Sequence, residues 1–162
     1  MPQNSGPADA PVTIIEYVNY QCPDVRDTEP RLSALRETAG DRLRFETRHL
    51  PLAKHARAFP AAEAAEAAGA QGAFWAMHAR LLQGDIALQD DDLLGYAQEL
   101  GLDTDQFAAD LAARRHAPAV EADLARAAAD GATTTPTIII NGQSFRDTET
   151  QQALALAREL LG

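Results

Sequence analysis

One residue in this chain has a side chain and a setting suited to sulfur chemistry. Cys22 is the only cysteine of 162 residues. It stands in Tyr20-Gln21-Cys22-Pro23-Asp24-Val25, where a strand pattern gives way to a helix pattern. A thiol there faces the unpaired N–H groups and the positive end of the helix dipole, both of which favour the thiolate. Arg26, one turn into the helix, adds to this if it folds back, and Asp24 opposes it by charge. Such a sulfur can attack a disulfide and form a mixed disulfide, because exchange needs only an attacking and a leaving sulfur. Position 25, three residues on, is valine. No second thiol in the chain can resolve the adduct, so release requires glutathione, another low-molecular-weight thiol or a partner protein.

Other chemistries find less support. His55, His78 and His116 have no metal-ligand spacing, and with one cysteine the expectation is no metal. His49 follows a strand and can lie near the thiol, though a packing role is the simpler reading. Asp90-Asp91-Asp92 is explained by first-turn acids at a helix start. Phe74, Trp75 and Met77 read as core residues rather than a substrate box. Ser144 and Thr134 lack a base and an acid at any recognisable spacing.

The elements that must position Cys22 follow from pattern. Val12 to Tyr20 is β-branched and aromatic, with the near-continuous apolar character of a strand covered on both faces. A helix is expected from Pro23 to Ala39, with Pro23 in its first turn, Gly40 as its stop and a kink at Pro30. Leu43 to Leu50 reads as a second strand ended by Pro51. From Ala53 to Asp130 the pattern is helical, with segments at 58–70, 74–82, 90–100, 104–115 and 118–129. Strand character returns at Thr137 to Ile140. Asn141-Gly142 then turns the chain into Gln143-Ser144-Phe145, and a helix over 148–161 closes it, with Leu154, Leu160 and Leu161 toward the core.

Length and composition set outer bounds. A hydrophobic fraction of 46% in 162 residues suits one domain with a substantial core. The net charge of −10 and the lack of a basic stretch argue against nucleic acid or an anionic membrane as partner. The segment from Met1 to Gly6 has neither the basic nor the apolar part of a secretion leader. With a single cysteine, the expectation is a cytoplasmic, reducing setting. Oligomeric state is not encoded in any of these features.

The ordered set of fragments resembles the DsbA-like branch of the thioredoxin superfamily. These are Asp9 to Tyr17, Tyr20-Gln21-Cys22-Pro23, Phe45 to Leu52, Ala62 to Ala65, Gly72 to His78, Gly131 to Thr137 and Ile140-Asn141-Gly142. The resemblance implies an α/β, thioredoxin-like fold with a helical insertion between the second and third strands. The core would take residues 11–52 and 131–162, and the insertion 53–130. It also implies a cis Thr135-Pro136 bond against the cysteine, with the Thr135 backbone as the edge that pairs with an extended substrate. The family oxidases carry Cys-x-x-Cys, whereas this chain has Cys22-Pro23-Asp24-Val25. The leading expectation is therefore monothiol exchange with Cys22 as nucleophile and no tightly bound cofactor. Pro23, Asp24, Val25 and Arg26 would flank the thiol, and Thr135 and Pro136 would shape the substrate site. The partner would be a thiol- or disulfide-containing protein or small molecule. The alternatives are a non-catalytic binding module and a glutathione-dependent isomerase or transferase.

Overall fold

A computed structural model describes residues 3–162. Met1 and Pro2, part of the segment expected to lack a leader, lie outside the described residues. The elements run β1 (Gln3–Ser5), β2 (Val12–Val18), α1 (Pro23–Ala39) and β3 (Leu43–His49). Five helices follow: α2 (Ala58–Ala70), α3 (Phe74–Gln83), α4 (Asp90–Glu99), α5 (Thr104–Ala112) and α6 (Ala117–Asp130). The chain then returns through β4 (Thr137–Ile140), β5 (Gln143–Phe145) and α7 (Thr150–Leu161).

The sheet order is β1-β3-β2-β4-β5. β2 lies beside β3 in parallel and beside β4 antiparallel, and its expected cover on both faces is met, since Ile14 and Tyr17 on opposite faces are both buried. This is a mixed α/β thioredoxin-like fold, and the helical block enters after the Leu43–His49 strand. The sequence pattern counts that strand as the second. It is the third, because Gln3–Ser5 adds an edge strand antiparallel to β3, Asn4 opposite Glu46. Three polar residues carry no period-2 apolar signal; the pairing comes from the sheet edge offered to them.

Two apolar layers hold the site. Ile14, Leu32, Phe45, Ile138, Ile140 and Leu154 form one cluster, between the sheet, α1 and α7. Val25, Met77, Leu81, Leu93, Phe107 and Val120 belong to a second, which joins the start of α1 to the inserted helices. The alanines at 61, 62, 64, 65, 67 and 68 are all buried, which lets neighbouring helices approach α2 closely. Leu160 departs from expectation: it is 44% exposed, while Leu154 and Leu161 point inward. Position 160 falls on the outer side of α7, three residues from buried Ala157 but next to exposed Glu159.

Pro30 lies inside α1, which is one continuous helix from Pro23 to Ala39. The Asn141-Gly142 hairpin forms as expected, with φ of 45° and 86° at the two turn residues. Asn141 also pins the turn to the central strand, its Oδ1 accepting the Thr13 N–H at 2.8 Å.

Candidate functional site

Cys22 is the N-cap of α1, with extended backbone dihedrals of −85° and 120°. Pro23 follows at the first helical position, where its missing N–H costs nothing. Thr135-Pro136 is a cis peptide. It brings the Thr135 carbonyl against the sulfur: Cys22 Sγ–H donates to Thr135 O at 3.2 Å, between residues 113 positions apart. Cys22 is 6% exposed. It nevertheless lines a cleft of about 330 Å³ with Asp24, Leu52, Ala53, Lys54, Thr133, Thr134, Thr135 and Asp147. Cys22 and Thr135, both named from sequence, thus share one wall.

The flanking residues divide by role. Val25 is fully buried, in the cluster that also contains Cys22. Asp24 is exposed and lines the cleft. Arg26 does not fold back onto the thiol, the condition under which it would favour the thiolate. Its guanidinium donates to the carbonyls of Tyr20, Leu81, Leu82 and Gly84, at 2.7–3.1 Å. Leu81 and Leu82 lie in the last turn of α3, where carbonyls lack helical donors and a cation is favoured. Arg26 therefore locks the start of α1 to the helical insertion.

Lys54 and Asp147 are cleft residues that sequence spacing did not single out, since they come from a loop after β3 and from the turn before α7. Loop residues carry no periodicity to betray them. Thr134 Oγ1 donates to Asp147 at 3.2 Å, tying the proline loop to that turn.

His49 is buried and committed elsewhere. Its backbone N–H donates to Asp123 Oδ2 and its Nε2 lies 2.9 Å from Glu66 Oε1. Burial raises the Glu66 carboxyl, but hydrogen bonds from His49 and Gln3 and the His49 charge outweigh it and leave the group below its ordinary value. His55 lies 2.6 Å from Asn19 Nδ2 through its Nδ1, and His116 sits 3.1 Å from Asp110. Asp92 caps its helix by accepting the Gln89 N–H at 2.8 Å, consistent with first-turn acids.

A second polar group was invisible to spacing. Glu16 from β2, Glu29 from α1 and His78 from α3 offer ligand atoms within 4.8 Å of one another, all buried. The expectation of no metal set rested on separation along the chain, which here spans three elements. A signal was present: Glu16 alternates with Val12, Ile14 and Val18 on the buried face of β2. Burial pushes the Glu16 carboxyl well up, and the charge of Glu29 adds to this while Arg36 opposes it. Glu29 lies below its ordinary value: burial raises it, and the His78 and Arg36 contacts more than offset that.

A family model described as Thioredoxin matches residues 3–157. The chain belongs to that thioredoxin family. Among solved structures it is similar to a thioredoxin-like oxidoreductase from Silicibacter pomeroyi DSS-3, at 26% identity and a TM-score of 0.80, covering 98% of this chain and 92% of that one. The thiol-disulfide exchange protein alpha-DsbA2 from Wolbachia pipientis shares the fold at 19% identity and a TM-score of 0.82, covering 97% and 86%. Curated relatives are of another kind. A Na(+)/H(+) antiporter NhaA 1 from Salinispora arenicola (strain CNS-205) is 44% identical over 155 residues, which are 94% of this chain and 23% of that protein. A Na(+)/H(+) antiporter NhaA from Herminiimonas arsenicoxydans is 42% identical over 141 residues, 87% and 22% of the two chains. The chain thus spans under a quarter of the length of these relatives. Among the described residues, no helix is long and apolar enough to cross a membrane.

Two outcomes follow for the scaffold of the site. Arg26→Met strands carbonyls that now have a donor and lowers stability by roughly 2–3 kcal/mol in urea melts. Arg26→Lys recovers only part of this, because an ammonium lacks the planar fork. For Glu66, a folded pKa below the unfolded 4.5 means a stabilising contribution present above pH 4.5 and lost as pH falls through the folded value. Glu66→Gln therefore lowers stability at pH 7 by about 1–2 kcal/mol, and the gap from wild type closes as melts are repeated at progressively lower pH beneath 4.5.

Proposed function

We propose that this chain is a thiol–disulfide oxidoreductase domain acting through Cys22 alone. The observation that carries the reading is the sulfur at the start of α1, 3.2 Å from the carbonyl that precedes cis-Pro136. Its oxidoreductase neighbours in fold and its thioredoxin family membership support the same chemistry.

Reaction begins when the Cys22 S–H leaves the Thr135 carbonyl and its proton passes to solvent. The sulfur attacks one sulfur of a substrate disulfide; an S–S bond to Cys22 forms as the substrate S–S bond breaks, and the other half departs as thiolate. A second thiol from solution or a partner then attacks the mixed disulfide and regenerates Cys22. Thr135 lines the cleft and, with Pro136 behind it, would shape the wall along which an extended peptide lies. The cleft presents carboxylates from Asp24 and Asp147 against the single ammonium of Lys54. That balance supports a protein disulfide over glutathione as the recognised substrate, with glutathione or a similar thiol in the releasing role. It also speaks against the glutathione-dependent isomerase or transferase reading. A reducing compartment supplies such thiols, so the cytoplasm belongs to the same proposal.

A second reading, a thioredoxin-like module that binds without turnover, is supported by the similarity to a segment of proteins named as antiporters. In it, the fold recognises a transport protein and the thiol is dispensable.

The thiol itself decides between them. Incubated with glutathione disulfide at neutral pH, wild type is expected to gain one glutathione by intact mass spectrometry, and Cys22→Ser none. An unmodified wild type, or a Cys22→Ser variant with full activity in the host, would sink the monothiol reading. Val25→Cys supplies the absent second sulfur at a buried position beside the first. Its adduct should collapse to an internal disulfide with release of glutathione, seen as a loss of two hydrogens from the chain mass. Persistence of the adduct in that variant would show that position 25 cannot reach the sulfur.

A further inference from the structure

The Glu16, Glu29 and His78 group lies outside the chemistry of the thiol and has its own unmet demand. Glu16 Oε1 and Oε2 and Glu29 Oε2 are buried without a hydrogen-bond partner, and His78 Nε2, which also lacks one of good geometry, stands 3.3 Å from Glu29 Oε1. Glu16 and His78 are 0% exposed and Glu29 is 7% exposed. Buried carboxylate oxygens without donors are costly, and a native fold rarely places several in one spot. Each of the three stands on a different element, so a ligand among them would bind β2, α1 and α3 together.

The histidine is already oriented. Tyr20 Oη lies 3.0 Å from His78 Nδ1. In the tautomer that places the proton on Nδ1, Tyr20 accepts it and Nε2 presents a lone pair toward the carboxylates; such outer partners fix ligating histidines. Phe74 stacks on the ring with centroids 5.8 Å apart, and Trp75 meets it edge-on at 5.6 Å, which restrains its rotation. Among the described residues, Arg36 is the cation that faces the group. Its Nη2 is 3.4 Å from Glu29 Oε1, and its guanidinium lies over the Trp75 ring at 4.3 Å. That leaves Glu29 Oε2 and both Glu16 oxygens to serve another partner. Glu29 also lines a cleft of about 250 Å³ with Arg26, Pro30, Ser33 and Leu82, which puts the group one side chain from solvent.

We infer that Glu16, Glu29 and His78 form a binding site for one divalent transition-metal ion of the zinc type. One imidazole and two carboxylates suit zinc or cobalt. Calcium needs six to eight oxygen ligands, and magnesium keeps several waters, neither of which this apolar enclosure provides. Ligands bound at about 2.0–2.1 Å lie about 3.3 Å apart in a tetrahedron; since all three ligand atoms lie within 4.8 Å of one another, no pair need draw in by more than about 1.5 Å. With the Arg36 guanidinium counted in both states, the two carboxylates leave the empty site one unit negative and a dication leaves it one unit positive, so the gain from the metal lies in ligand bonds to the unpaired oxygens rather than in net charge. The metal stabilises the native arrangement, because the unfolded chain holds no preformed set of these three.

The test uses Co(II) and Zn(II) salts with chelator-treated protein. Wild type is expected to retain one metal per chain through gel filtration. Its Co(II) complex should show visible d–d bands with no thiolate charge-transfer band, and its melting temperature should rise with added Zn(II). Cys22→Ser should behave the same, which separates this site from the thiol whatever that sulfur does. Glu16→Gln and His78→Gln, checked for folding by circular dichroism, should weaken binding at least tenfold. No stoichiometric metal on wild type would overturn the inference, as would binding lost in Cys22→Ser or unchanged in folded Glu16→Gln and His78→Gln. Where a variant does not fold, the Co(II) spectrum of wild type decides alone: a thiolate band, or no d–d bands, overturns it.

Discussion

The contact between Cys22 Sγ and the Thr135 carbonyl is the constraint on which the rest of the site depends. It joins two segments that the helical insertion separates along the chain. It exists because β4 pairs antiparallel with β2, Tyr17 opposite Thr137. That pairing sets the proline loop just before β4 at the same sheet edge where β2 gives way to α1. Thr137 Oγ1 donates to Thr134 O at 2.7 Å and steadies the loop from its far side. Strand register and the geometry of the candidate site are one fact: a slip of one residue would turn Thr135 away and expose the inward isoleucines.

The insertion serves this arrangement through Arg26. A guanidinium that satisfies carbonyls on the β2–α1 connection and at the end of α3 fixes the angle between the helical block and the thioredoxin core. Its partly buried charge costs some solvation, which hydrogen bonds to helix-end carbonyls offset. Gly84, one of its acceptors, shows how closely this seam packs: a Cβ there would lie 2.1 Å from Tyr96 Oη. Tyr96 in turn accepts the Asp85 N–H at 3.1 Å. The seam is therefore polar at its rim and apolar inside, where Val25, Leu81 and Leu88 lie fully covered.

Much of this was readable from sequence, for identifiable reasons. The strands at Val12 and Thr137 announce themselves by β-branching, α1 by Pro23 and Gly40, and the hairpin by Asn141-Gly142. Helix α6 begins at Ala117 and α7 at Thr150, small shifts of the kind helix ends commonly show. The edge strand Gln3–Ser5 was unreadable because its residues are polar and its strand identity is borrowed from Phe45, Glu46 and Thr47. Whether Arg26 folds back was open in the sequence for a related reason. Charge predicts attraction to a thiolate nearby, but the fold offers it several carbonyls at once. Lys54, Asp147 and the Glu16–Glu29–His78 group come together only in three dimensions, though a glutamate on the apolar face of β2 was itself a mark of something buried and polar.

Val25 carries a last consequence. Its side chain is wholly enclosed where a dithiol protein would keep its exit route. A covalent adduct at Cys22 would then have no way out from within, and its lifetime would be set by whatever thiol the surroundings provide. The domain would keep a record of its last encounter with a disulfide, erased at a pace that the redox state of its environment dictates.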